Sequence, residues 1–477
     1  MKNRYRNLLM LFACLATLAA CSPFRPPDRP AATKDLPETF TLYNPEKPPD
    51  SPWWHTFKSP ELDRLIDEAL AGSFSLKTAW FRLQQARAGA VIAGASRFPD
   101  FEASGSAESV RRDSSDFSNG SVGNQTFSIG LASHYEIDFW GRLQSQRQAA
   151  WLDAAASEAD LHTAAVTLAA EVAARWVQIL SQQLQKSLLE EQLTNNLTFL
   201  NLIELRFRKA MVSALDVYQQ KQVVENVRAK IPLVAAQIQL LKHDLALLLG
   251  RPPRSDLNLT QSSLPLIGRL PAVGLPADLL AARPDVRAAG MRLQAADWQL
   301  AEARANRLPA VRLSAGAQYG PDELDLLFDT WLLSLAANLT APIFDGGRRA
   351  AEVDRIRAVV DENLSAYEQV VLLAVKEVED ALENQARQHE HIKGLQAVMD
   401  AARKGLQEAV SRYRAGLSDY LPVLTQLLSV QDLERNLIGQ QEQLILYRIG
   451  LYRALGGQWP VDMLPRETKA KPETKGD

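Results

Sequence analysis

The chain has 477 residues, 53 basic against 56 acidic side chains, a formal net charge of −3 and 46% hydrophobic residues. That balance excludes the strongly basic surface of a nucleic-acid or other polyanion binder, while the apolar fraction allows a large buried surface. Of the two cysteines, Cys14 falls inside an N-terminal leader, which leaves Cys21 and excludes both a disulfide framework and a cysteine metal site.

Residues 1–20 have the form of a signal peptide: Lys2, Arg4 and Arg6 precede the uncharged run Leu8–Ala20, which is too short to span a bilayer well. The run ends in Leu18-Ala19-Ala20-Cys21, which resembles the lipobox of bacterial lipoproteins. The resemblance implies cleavage before Cys21 and acylation of that residue, and Ser22 beside it implies export onward to the outer membrane. Residues 21–58 then read as a lipidated tether, rich in proline (PFRPPDRP, NPEKPPDSP). No later stretch is an uninterrupted apolar run of 18 residues, so any membrane crossing is expected from a closed β-barrel.

Ser59-Pro60 is an N-cap followed by proline at the first helical position, and it predicts a helix over Glu61–Leu70; a second is expected from Leu76 to about Arg97. The period then changes. Phe101–Val110 alternates weakly, Arg111–Asn124 reads as a polar loop, and Phe127–Phe139 alternates with period 2. That strand is long for a soluble sheet and suits a tilted membrane barrel. From Leu143 to Leu249 there is no glycine and a single proline, Pro232. The spacing predicts one helix over Leu143–Arg206, roughly 95 Å at about 1.5 Å per residue, and a return helix over Leu215–Leu249 kinked at Pro232. A coiled-coil stripe is expected at Leu193, Leu197, Leu200, Ile203, Phe207 and Met211.

The second half repeats this order. Arg206–Val217 (RFRKAMVSALDV) recurs as Arg412–Val423 (RYRAGLSDYLPV), 206 residues later, and each copy runs on to a Leu-Gly stop, Leu249-Gly250 and Leu455-Gly456. Two more strands are expected at Val311–Tyr319 and Trp331–Phe344. The chain is therefore read as two repeats, residues 59–250 and 271–460, joined by a linker at 251–270 and followed by a disordered tail at 461–477. The recurring motif lies where one long helix meets the next.

No HExxH, GxSxG, P-loop or CxxC pattern occurs and the six histidines are scattered, so neither an enzyme nor a cofactor is expected. Two classes remain: a passive export duct, or an envelope lipoprotein acting as a coiled-coil adaptor or scaffold. Four long alternating strands favour the duct.

Four stretches carry a resemblance to a known family: Trp53-Trp54-His55-Thr56-Phe57 with Ser59-Pro60-Glu61-Leu62; Arg283-Pro284-Asp285-Val286-Arg287 with Leu293-Gln294-Ala295-Ala296; Ala341-Pro342-Ile343-Phe344-Asp345-Gly346-Gly347-Arg348; and Arg412-Tyr413-Arg414-Ala415-Gly416. Together the chain resembles the outer-membrane factor family of tripartite efflux systems, in its lipoprotein branch. The resemblance implies a homotrimer in which each protomer gives four strands to a twelve-stranded β-barrel and long helices to a coiled-coil α-helical barrel in the periplasm. It also implies an adaptor protein and an inner-membrane pump as partners, alongside outer-membrane lipid.

In that family the loops between the long helices form a periplasmic tip that opens and meets the adaptor. Carried onto this sequence, the expected gate residues are Asp216, Asp419, Arg208, Arg414 and Leu421, and the expected adaptor contacts are Lys209, Ala210, Met211, Arg412, Tyr413, Gly416, Leu417 and Ser418. Asp216 takes the position of an acidic pore ring, whereas the second copy has Pro422 there and Asp419 nearby. The competing reading of both aspartates is ordinary helix capping, with Leu215, Leu417 and Leu421 closing the pore. Gly416 supplies a left-handed turn residue that Ala210 lacks, so the two loops are expected to differ in backbone shape.

Overall fold

The computed structural model describes residues 24–26, 36–37, 39–40, 52–112, 122–271, 273–320 and 331–457. Cys21, the tips of both strand hairpins and the C-terminal tail lie outside them. In chain order the main elements are α1 (Pro60–Gly72), α2 (Phe74–Ala95), β1 (Asp100–Arg112), β2 (Val122–Ile137), α3 (Arg142–Arg208) and α4 (Ala214–Leu248). There follow α5 (Leu279–Ala282), α6 (Pro284–Ala305), β3 (Ala310–Tyr319), β4 (Trp331–Thr340), α7 (Arg348–Arg414) and α8 (Leu421–Ala454). The duplication is visible in the elements themselves, because α3 and α7 are both 67 residues long and begin and end at matching repeat positions.

Among the described residues the chain divides into two compact units, each drawing on both repeats. One is built mainly from Arg82–Glu158 and Ala288–Gln369, the other from Ala32–Phe81, Ala159–Arg287 and the residues from Val370 onward.

The first unit holds an antiparallel sheet in the order β1-β2-β3-β4. Its register pairs odd residues with odd ones: Leu131 opposes Ala103 and Ala317, and Ala317 opposes Leu333. One face is therefore an apolar row of Phe101, Leu131, Leu313, Leu333 and Leu335, and the other carries Glu102, Ser104, His134, Gln318 and Asn338. All ten residues of β4 are exposed within the single chain. Among the described residues β1 and β4 are edges without partners, an arrangement that antiparallel sheets resolve by pairing with another chain or by closing.

Three strand boundaries differ from the sequence reading. β1 and β2 run into the expected polar loop, pairing Arg111 with Gly123 and Arg112 with Val122, because a backbone ladder continues where side chains no longer alternate. β2 ends at Ile137 instead of Phe139, since Asp138 caps the next helix. β4 stops at Thr340 and not Phe344, since Pro342 has no N–H to give to the ladder. Asp138 accepts from Leu143 N (3.1 Å) and Gln144 N (2.8 Å). Asp345 does the same in the second repeat, accepting from Gly347 N (3.1 Å) and Arg349 N (3.3 Å), so both 67-residue helices start on an aspartate. On the polar face of the sheet Glu136 accepts from Arg142 (2.8 Å) and Arg312 (3.2 Å).

The second unit is a helical assembly around a dense aromatic and acidic junction. Trp53 stacks on Tyr452 at 5.2 Å and meets Trp54 and Phe57 edge-on. Glu61, in the first turn of α1, accepts from Trp176 Nε1 (2.8 Å), Thr260 N (2.6 Å) and Gln261 N (3.1 Å). Burial pushes this carboxyl up, but those hydrogen bonds outweigh it and hold it below the usual carboxylate range. The two Leu-Gly stops are packing sites. Gly250 and Gly456 have φ of 74° and 85°, and a β-carbon on them would fall 2.4 Å from the Gly72 carbonyl oxygen and 2.9 Å from that of Ala282.

α4 is one helix from Ala214 to Leu248 with Pro232, the site of the expected kink, inside it. Both α3 and α4 contain windows apolar enough by length and composition to cross a bilayer, which a search for uninterrupted apolar runs overlooks because alanine and leucine alternate with polar residues. In α3, 61% of that window is already buried inside the protein.

Candidate functional site

The two copies of the recurring motif form helix–helix junctions, and both are built the same way. At the first, Ala210 N donates to Phe207 O (2.8 Å) and Met211 N to Arg206 O (2.9 Å); at the second, Gly416 N donates to Tyr413 O (3.1 Å) and Leu417 N to Arg412 O (2.9 Å). These are paired Schellman closures. Ala210 takes φ of 58° and Gly416 φ of 74°, so the expected difference in loop shape is corrected: alanine accepts the left-handed conformation, at a cost of about 1 kcal/mol relative to glycine.

The junctions differ in what starts the next helix. Ser213 caps α4: its Oγ accepts from Asp216 N (3.3 Å), while Asp216 Oδ2 accepts from Ser213 N (2.9 Å) and Ser213 Oγ (2.8 Å). Asp216 is thus engaged in a capping box. In the second copy Tyr420 stands at the N-cap with no side-chain capping bond and Pro422 follows in the first turn. Asp419 is exposed beside it.

Arg412 pairs with Glu408 at 2.8 Å. Arg208, Lys209 and Arg414 are exposed and make no ion pair among the described residues. Met211, Leu215, Leu417 and Leu421 are exposed apolar side chains. The Tyr413 and Ser418 hydroxyls are out of solvent without a hydrogen-bond partner among the described residues. The fold brings the two junctions together: Arg206 lies over the Tyr413 ring at 4.4 Å, and Tyr413 meets Tyr420 at 5.5 Å. Ile203, Val223, Tyr413, Tyr420 and Val423 form one buried cluster around them.

Behind that cluster runs a chain of buried polar groups that the sequence reading missed. Tyr420 Oη donates to Gln220 Oε1 (2.7 Å), and Gln220 Nε2 donates to Asn196 O (2.9 Å). Asn196 and Gln431 exchange amide hydrogen bonds at 3.3 and 3.0 Å. Gln192 Nε2 then donates to Gln431 O (3.1 Å), and Arg435 Nη1 to Gln192 Oε1 (2.5 Å). Burial, with Tyr413 and Asp216 nearby, pushes the Tyr420 hydroxyl well above its ordinary range, so it remains a donor. Within the single chain only part of the predicted α3 stripe is buried. Ile203 is fully buried, but Phe207 and Met211 are exposed, and the buried seam runs through Leu189, Gln192, Asn196 and Ile203. Its signal was present as polar residues four apart, Gln192 with Asn196 and Gln431 with Arg435, each pair on one helix face. Fully satisfied amides can occupy a seam position that periodicity assigns to leucine.

Among the described residues no group of three or more His, Cys, Asp or Glu is placed to hold a metal.

Comparison with known proteins places this geometry. A family model described as outer membrane efflux protein matches residues 65–251 and 275–457. The chain is 33% identical over 472 residues to the pyoverdine export outer membrane protein OpmQ of Pseudomonas aeruginosa, covering 96% of this chain and 98% of that protein. Among solved structures, CusC superposes with a TM-score of 0.83 at 27% identity, covering 92% of this chain and all of that one. VceC from Vibrio cholerae superposes with a TM-score of 0.80 at 28% identity, covering 86% and 99%.

Proposed function

The chain belongs to the outer membrane efflux protein family, and from that premise we propose how its parts work. It is an outer-membrane channel of a tripartite efflux system, which sets aside the adaptor and scaffold reading. Three copies each give four strands to a twelve-stranded β-barrel, and their long helices continue as a coiled-coil tunnel. The observation that carries this is the four-stranded sheet with one apolar face, one polar face and two unpaired edges, a sheet satisfied by closure with further copies. We read the duct as passive and non-enzymatic, working with a periplasmic adaptor and an inner-membrane pump on small molecules. Cargo selection then rests with the pump.

The N-terminal anchor is part of the same reading. Acylation at Cys21 with two or three chains holds the tether stably where one chain would not. Mass spectrometry of the mature N-terminus is expected to find an acylated Cys21; an unmodified terminus at another residue would overturn it.

At the tip we assign Lys209, Ala210, Met211, Arg412, Tyr413, Gly416, Leu417 and Ser418 to the adaptor contact, and Asp216, Asp419, Arg208, Arg414 and Leu421 to the gate. Support comes from the exposed, unpaired Arg208 and Arg414 on matched Schellman loops, which are free to bond neighbouring protomers. Exposed pairs of this kind contribute only about 0–1 kcal/mol each, which suits a gate that must open. In planar bilayers Arg414→Ala is expected to raise the resting single-channel conductance, and Asp216→Asn to weaken block by multivalent cations. No change in either would move the constriction to Leu215, Leu417 and Leu421.

A further inference from the structure

The duplication supplies an internal control for helix packing beside the sheet, and one seam fails it. In the second repeat α6 and α7 meet through Leu300, Val353, Ile356 and Val360, all buried in one cluster. The matching positions of the first repeat, between α2 and α3, are Ala90, Arg147, Ala150 and Ala154. Three large side chains have become alanine and one has become a cation. In place of a packed core there is a groove of about 650 Å³ whose lining includes Arg97, Phe98, Arg147 and Trp151.

Its chemistry is that of an interface, not a core defect. Arg87, at one end, is paired with Glu158 at 3.3 Å. Arg97 and Arg147 have no side-chain hydrogen bond or ion pair among the described residues, and the stem of Arg147 lies over Gly94, where a β-carbon would sit 3.7 Å from its Cδ. Phe98 is 73% exposed and Trp151 56%. Phe98 is also two residues from the first residue of β1, so the groove lies at the helical end of the membrane sheet. Two free guanidiniums beside exposed aromatic rings at the end of a membrane-spanning strand match a phosphate carried on a glycerol–acyl body.

We propose that this groove is a binding site for one anionic phospholipid of the leaflet on the helical side of the sheet. The phosphate sits on Arg97 and Arg147, and the glycerol–ester region lies against Phe98 and Trp151. The second repeat offers no such site, because its seam is filled. The proposal rests on the outer-membrane placement of the sheet, and lipid retention is read separately from efflux, so losing one leaves the other standing.

The test is native mass spectrometry of the full-length protein released from nanodiscs containing either phosphatidylglycerol or phosphatidylcholine. Wild type is expected to retain phosphatidylglycerol in preference, and Arg97→Ala/Arg147→Ala to lose roughly tenfold of that retention, the scale of losing charge-assisted hydrogen bonds. Arg307→Ala, the second-repeat counterpart of Arg97, is expected to retain lipid as wild type does. Ala90→Leu/Arg147→Val/Ala154→Val, which copies the filled seam, is expected to abolish retention. Should that variant fail to assemble, the arginine variant, which changes only exposed side chains, still decides. Equal retention of both lipids by wild type, or unchanged retention without the arginines, overturns the proposal. So does protection of Trp151→Cys from a thiol-reactive maleimide in lipid-free trimers, which would mean that a neighbouring protomer fills the groove.

Discussion

Arginine in place of Leu335 is expected to destabilise the barrel by about 2–4 kcal/mol, the cost of placing a cation on the lipid face near the midplane. Leu335 lies midway along β4, opposite Ala315 of β3, on the apolar face. Its neighbour across the sheet's other face is the right control. Gln318, opposite Leu332, belongs to the polar row, and Gln318→Arg is expected to remain within about 1 kcal/mol of wild type, as substitutions away from packed or lipid-facing positions do. Urea unfolding from liposomes, read by the loss of the heat-resistant oligomer, separates the two. Equal tolerance of arginine at both positions would reverse or abolish the assigned facing.

The second large effect is expected at Arg283. Its Nε and Nη2 donate to the two oxygens of Asp285 (3.0 and 2.6 Å), and Nη1 donates to Glu377 Oε2 (2.7 Å) and Ala454 O (2.9 Å). One guanidinium therefore joins the start of α6, the middle of α7 and the end of α8. Removing it by Arg283→Met strands two carboxylates and a carbonyl. Both acids remain about a third exposed, 32% and 31%, and can partly rehydrate. We therefore expect a loss of about 2–3 kcal/mol, below the 3–5 kcal/mol of a fully buried pair.

The pH dependence has a definite sign. Burial pushes Asp285 up, but Arg283 outweighs it and holds the carboxyl below the usual carboxylate range. A depressed folded-state value means that its stabilisation is complete above the ordinary aspartate range and is lost as pH falls through the depressed one. Wild-type stability should decline below about pH 4, where an ordinary aspartate titrates, with a steeper slope than that of Arg283→Met. Parallel pH profiles for the two proteins would remove the ion pair from the account.

Much of this architecture was legible in the residues, for reasons that are local. Period-2 alternation at Phe127–Ile137 and at Trp331–Leu339 follows from the strand pleat, and a sequence without glycine from Leu143 to Leu249 makes long helices by propensity alone. The match of Arg206–Val217 with Arg412–Val423 marked the helix junctions before any coordinate was known. Other features depended on partners distant in the chain. Asn196 and Gln431, 235 residues apart, can share a core only because each supplies the other's hydrogen bonds.

The sequence by itself determined the element types, the duplication, the apolar face of the sheet and the family, since each depends on spacing along the chain or on short local motifs. Tertiary structure alone decided which polar residues are buried, where strands end and which seam is left hollow. Those outcomes depend on groups meeting across space: a donor finding its acceptor, a ladder finding its partner strand, or alanines facing an arginine where the other repeat sets leucine against valine.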